Sequence, residues 1–184
     1  LMFDGTWSAP EANTNVQRLR QLIAARDGAG VEQRIEYVPG VGVKPGLSHW
    51  LGGAFGLGLS DNVKAGYRWL CDEWQPDDDL FLFGFSRGAY AARSLAGLIR
   101  KCGLLKRVGN TDVADATVSG AYDFYRDGNV KPVDDAAVQF RRQPSNEIEI
   151  PDIGVVESLC EPGLPVSAAR LPNPRSDSRG QARQ

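Results

Sequence analysis

Apolar and polar positions follow one another along this chain in blocks that predict strands and helices in turn. Met2-Phe3 runs into Asp4-Gly5-Thr6 and reads as the end of a strand entering a turn. Asn13-Thr14-Asn15 supplies cap residues, and Val16, Leu19, Leu22 and Ile23 share one helical face. That helix is expected to close near Arg26, before Asp27-Gly28-Ala29-Gly30. Residues 33–38, with Ile35, Tyr37 and Val38, predict a strand that Pro39-Gly40-Val41-Gly42 ends. Over 45–58 the density of glycine predicts a loop, with one helical turn around Trp50-Leu51. Ser60-Asp61-Asn62 then caps a helix in which Val63, Tyr67, Leu70 and Cys71 lie on one side, ending around Glu73-Trp74.

Past the turn Pro76-Asp77-Asp78-Asp79, four consecutive apolar residues, Leu80-Phe81-Leu82-Phe83, predict a short buried strand. Helix formers with apolar residues at helical spacing fill 89–100, and Gly103 stops that helix after Cys102. A further helix is predicted over 112–125, stopped by Asp127-Gly128, and a short one over 134–142. Residues 148–156 predict another strand, in which Pro151 is awkward for a central position. Strands alternating with helices imply an α/β fold with a mostly parallel sheet and flanking helices. A strand already under way at Leu1, and the fading of the pattern late in the chain, imply a domain incomplete at both ends. The domain is placed at 1–165. Residues 166–184, rich in arginine and proline with almost no large apolar side chain, are expected to be a disordered tail.

The candidate chemistry lies between the Leu80–Phe83 run and the helix after it. Gly84-Phe85-Ser86-Arg87-Gly88 is a Gly-x-Ser-x-Gly pentapeptide in a strand-to-helix context. That context makes a nucleophile elbow: the serine sits on a strained turn, and Gly84 and Gly88 let strand and helix approach. Ser86 is the candidate nucleophile, and the amide of Arg87, at the helix N-terminus, is placed to hold an oxyanion.

Composition narrows the classes. A net charge of -2 provides no basic field for a general nucleic-acid binder. No apolar run approaches a bilayer span and no signal peptide opens the chain, so a lipid substrate would be met from the water side. Cys71, Cys102 and Cys160 are widely spaced and read as buried reduced thiols, which fits a cytoplasmic origin. No phosphate-binding or dinucleotide fingerprint is present. Asp77-Asp78-Asp79 reads as a solvated turn, so neither metal nor cofactor is expected.

Several stretches together resemble one family: Phe3-Asp4-Gly5-Thr6-Trp7, Thr14-Asn15-Val16, Tyr37-Val38-Pro39-Gly40-Val41-Gly42, Gly52-Gly53-Ala54-Phe55-Gly56 and the run from Gly84 to Arg93. It is the α/β-hydrolase domain family that includes the phospholipase effectors of the type VI secretion system. The resemblance is close over residues 3–105 and looser over 106–165. It implies an α/β-hydrolase fold, a lipase or phospholipase acting on acyl esters through Ser, Asp and His, and no cofactor. It also implies export by that system, with a spike component and an immunity protein as partners. It puts the Asp4–Thr6 turn beside Ser86, which makes the N–H of Thr6 or Gly5 the second oxyanion donor, while Asp4 braces the turn. Where the family carries a Gly-Val-Trp-Asp-Thr-Val strand end, this chain has Gly154-Val155-Val156-Glu157-Ser158-Leu159. The triad acid therefore falls on Glu157.

One element of that mechanism is missing. The single histidine, His49, precedes Ser86 in the glycine-rich stretch, whereas this fold orders its triad as Ser, acid, His. Two readings follow: a fragment of a hydrolase whose histidine lies in sequence beyond this chain, or an inactive hydrolase-like domain serving as a binding or scaffold module. The first is preferred, and little or no ester turnover is expected of these 184 residues alone.

Overall fold

In a computed structural model, residues 1–5, 13–40, 54–76, 78–107, 111–142, 145–146, 154–158 and 167–170 are described. Their order is β1 (Met2–Phe3), α1 (Asn15–Leu22), β2 (Tyr37–Val38), α2 (Ala54–Glu73), β3 (Phe81–Phe85), α3 (Arg87–Cys102), β4 (Leu104–Leu105), α4 (Asp115–Arg126), α5 (Asp135–Arg142), β5 (Ser145–Asn146), β6 (Gly154–Ser158) and β7 (Ser167–Arg170). The main sheet runs β2-β1-β3-β6-β7. All its pairings are parallel except β6 with β7. A second, two-stranded antiparallel sheet joins β4 to β5.

The strand order reverses direction after β2. From β1 the chain steps to β2 on one side, then α2 carries it back across β1 to β3. Right-handed crossovers in opposite directions put α1 and α2 on opposite faces of the sheet. The packing agrees. Phe3 faces α2, where a Cβ on Gly66 would lie 2.7 Å from its Cζ. Its neighbour Met2, pointing the other way, lines a cavity with Leu19 and Ile23 of α1. On the α2 face, α3 lies across β1, β3 and β6, with α2 and α4 packed against it. The core sits here: Phe3, Tyr67, Leu82, Leu95, Leu98 and Ile99 are buried.

Five local departures from the sequence reading have physical causes. α1 ends at Leu22, a turn before Arg26. Asp27 accepts the amides of Ala29 and Val31 and so holds a tight turn, and Arg26 bridges to Glu32. β2 is only the last two residues of the predicted 33–38 strand. α2 begins at Ala54, inside the predicted glycine loop, and passes through Ser60-Asp61-Asn62 without a cap. Those three side chains are used elsewhere: Ser60 accepts from Tyr122, Asp61 pairs with Lys64, and Asn62 donates to the Pro39 carbonyl. β6, Gly154–Ser158, starts six residues later and ends two residues later than the predicted 148–156, and so falls past Pro151. Finally, β7 lies beyond the boundary at 165, in the stretch expected to be a disordered tail. An edge strand made of Ser167-Ala168-Ala169-Arg170 needs only backbone pairing, which an absence of large apolar residues does not forbid. Predicted features around His49, Trp50 and Cys160, and residues 171–184, lie outside the described residues.

Candidate active site

β1 and β3 are parallel neighbours, with Met2 opposite Phe83 and Phe3 opposite Gly84. They are also the pair at which the strand order reverses, and the crevice beyond the carboxyl ends of such strands is where open α/β sheets bind ligands. Beyond β1 stand Asp4 and Gly5; beyond β3 stands Ser86. A Cβ on Gly5 would lie 3.3 Å from the Ser86 Cβ and 2.7 Å from the Phe85 ring. The two turns are in contact.

Ser86 links β3 directly to α3 and has φ 55° and ψ -120°. A non-glycine residue there is strained, and such strain is held in place only by its surroundings. The surroundings are the two glycines. A Cβ on Gly84 would come within 2.5 Å of the Ala89 Cα, and one on Gly88 within 2.2 Å of the Phe3 carbonyl oxygen. Any other residue at either position would force α3 away from β3 or β1. The Ser86 side chain is exposed and caps none of the α3 amides. The Arg87 amide stands at the first position of α3, at its N-terminal end.

Asp4 is almost wholly buried, at 1% exposure, and is held from every side. Its Oδ1 accepts the Gly5 amide at 2.8 Å. Its Oδ2 accepts from Thr14 Oγ1 at 2.7 Å, the Tyr37 hydroxyl at 2.8 Å and Gln17 Nε2 at 3.3 Å. Gln17 Nε2 also reaches the Tyr37 hydroxyl at 3.1 Å, which closes the network. Thr14 caps α1 as well, accepting the Gln17 amide. Burial pushes the Tyr37 phenol up to about 12, so it remains a donor through the neutral range. Asp4 thus has the bracing position expected of it. The Gly5 N–H, one of two candidate oxyanion donors, is engaged by that carboxylate. Tyr37 and Gln17 were not singled out as site residues from the sequence. The one available signal is a glutamine at a buried position of α1, between Val16 and Leu19.

The remaining candidates are spread more widely. The backbone of Glu157 lies in β6 opposite Gly84, and Ser158 lies opposite Phe85, so the end of β6 adjoins the end of β3. Thr6 and His49 lie outside the described residues. Among the described residues no cluster of His, Cys, Asp and Glu could hold a metal, and no helix is long and apolar enough to cross a membrane.

A mostly parallel sheet flanked by helices, turning at a Gly-x-Ser-x-Gly between β3 and α3, defines an α/β-hydrolase-like protein. The chain belongs to the family of type VI secretion phospholipase effector Tle1-like catalytic domains, whose family model matches residues 1–175. It is also similar to the uncharacterised protein YEL023C of Saccharomyces cerevisiae, 33% identical over 123 residues. That match covers 58% of this chain and 18% of the yeast protein. No solved structure matches the chain.

Proposed function

We propose that Ser86 is the nucleophile of a serine hydrolase acting on phospholipid acyl esters. The observation that carries this reading is the strained Ser86 backbone at the junction of β3 and α3, in contact with Gly5 across the switch point. Membership of a phospholipase catalytic family supports the substrate class. The Ser86 Oγ attacks the acyl carbonyl carbon and its proton passes to a base. The resulting oxyanion is held by the amide of Arg87 and by one from the Asp4–Thr6 turn. Because Asp4 occupies the Gly5 N–H, the Thr6 amide is the better candidate. Collapse expels the lysophospholipid alkoxide, which takes up the proton, and water releases the fatty acid from Ser86. Glu157 is the proposed orienting acid. The base is the missing component of this chain, so these residues carry an elbow and an oxyanion site with little turnover of their own. On the family description, the substrate is a phospholipid. The protein is made in the cytoplasm and exported by a type VI system, with a spike component and an immunity protein as partners.

The test is fluorophosphonate labelling of the folded chain, in which Oγ bonds to phosphorus and fluoride leaves. Slow labelling confined to Ser86, lost in Ser86→Ala, is the expected result. Added imidazole should raise ester turnover in the wild type above that of Ser86→Ala. No adduct on folded protein, with or without imidazole, would refute the catalytic reading and favour a binding or scaffold module.

A further inference from the structure

We propose that Tyr37 and Gln17 are positioning residues that act through Asp4 to fix the turn facing Ser86. This rests on the catalytic reading of Ser86 and adds to it how the oxyanion side of the site is kept in place. Three segments meet at one carboxylate: the end of β1 through Asp4, the first turn of α1 through Thr14 and Gln17, and β2 through Tyr37. A buried carboxylate is costly unless all of its lone pairs are used, and here four donors converge on it. A turn that only had to reverse the chain would not require that outlay. What the network does is local. With Oδ2 clamped by Tyr37, Thr14 and Gln17, Oδ1 is fixed where it takes the Gly5 amide. The Gly5 peptide is thereby held where it meets Ser86.

Tyr37 has the central place in the clamp, since its hydroxyl donates to Asp4 and accepts from Gln17. Arg20 lies over its ring, 5.1 Å from the centroid, a cation–π contact that adds to the hold on the phenol. Removing one hydroxyl leaves Asp4 three donors, so the fold should survive while the turn gains freedom. A misplaced oxyanion donor affects the transition state and not probe binding. Tyr37→Phe should therefore slow the first-order step of Ser86 labelling about tenfold without changing the probe concentration that half-saturates it. Gln17→Met should act in the same direction.

The experiment pairs that labelling split with hydrogen exchange of the Gly5 amide, followed by NMR in the 184-residue chain. The expected result is faster Gly5 exchange in Tyr37→Phe, a slower labelling step and an unchanged half-saturating concentration. Wild-type labelling kinetics in Tyr37→Phe would overturn the inference and leave Ser86 as the nucleophile. Unchanged Gly5 exchange would overturn it as well. Should the wild type not label while Gly5 exchange still quickens in Tyr37→Phe, the catalytic reading has failed first and the inference falls with it.

Discussion

At the residue scale, Ser86 stands where local stability and chemistry oppose each other. Its φ of 55° costs about 1–3 kcal/mol for a residue with a side chain. Glycine relieves that strain but adds its own entropic cost of about 0.5–1 kcal/mol. Ser86→Gly is therefore expected to stabilise the chain by about 1 kcal/mol, raising the melting temperature by roughly 2–4 °C, while abolishing fluorophosphonate labelling. Ser86→Ala keeps the Cβ and the strain, and should melt within a degree or so of the wild type. A glycine variant less stable than the alanine variant would show that the turn is not strained. The place of Ser86 was legible because the pentapeptide, the apolar run before it and the helix after it all concern neighbours in sequence. The Asp4 network was half legible. The aspartate could be assigned to its turn, but its partners Thr14, Gln17 and Tyr37 come from segments 10, 13 and 33 residues away. No spacing rule links them.

At the element scale, the sequence located most helices and missed where some begin and end. α3, α4 and α5 fall within a few residues of their predicted spans, because periodic apolar faces meet clear stop signals. α2 starts earlier than predicted, at Ala54, so that Gly56 and Gly58, read as loop signals, lie inside the helix despite their low helix propensity. The ends of the helices are fastened by long cationic side chains from elsewhere. Arg141 of α5 donates to the carbonyls of Lys101 and Pro132, which ties the end of α3 to the turn before α5. Lys101, only 3% exposed, donates to the carbonyls of Tyr125 and Asp127 at the end of α4 and lies over the Phe124 ring. Lys101→Met keeps most of the buried volume and removes the donor. It should cost about 2 kcal/mol, since charged hydrogen bonds are lost and carbonyls are left unpaired. Urea denaturation should show a lower midpoint at unchanged slope. A midpoint equal to the wild type would mean that water replaces the ammonium at no cost.

At the scale of the whole molecule, the two faces of the sheet are unequally covered among the described residues. Four consecutive apolar residues, Leu80 to Phe83, predict a short buried strand. In the structure Leu82 is buried under α3, while Phe81 is 55% exposed and Phe83 half-buried on the α1 face. One eight-residue helix covers that side, against the longer α2 and α3 on the other. Stability therefore concentrates between α2, α3 and α4, where Tyr67, Cys71 and Cys102 lie buried. Burial raises both thiols from the ordinary 9.0 to about 12, and raises the Tyr67 phenol as well. In the unfolded chain the thiols lose their protons near 9, whereas in the folded chain they keep them until about 12. Between those values the unfolded state binds fewer protons and is favoured. The contribution is complete below pH 9 and is lost as pH rises toward 12, at about 1.4 kcal/mol per pH unit for each thiol. Unfolding free energies from urea titrations should be nearly flat up to about pH 8.5 and fall toward that slope between about pH 9 and 10.5, and Cys102→Val should halve the part that belongs to the thiols. Tyr67, whose hydroxyl donates to the Gly103 carbonyl, adds to the fall only above about 10, where an unfolded tyrosine begins to ionise. A midpoint that stays flat to pH 10 would mean that Cys71 and Cys102 are not held in the dry core that α2, α3 and α4 build behind Ser86.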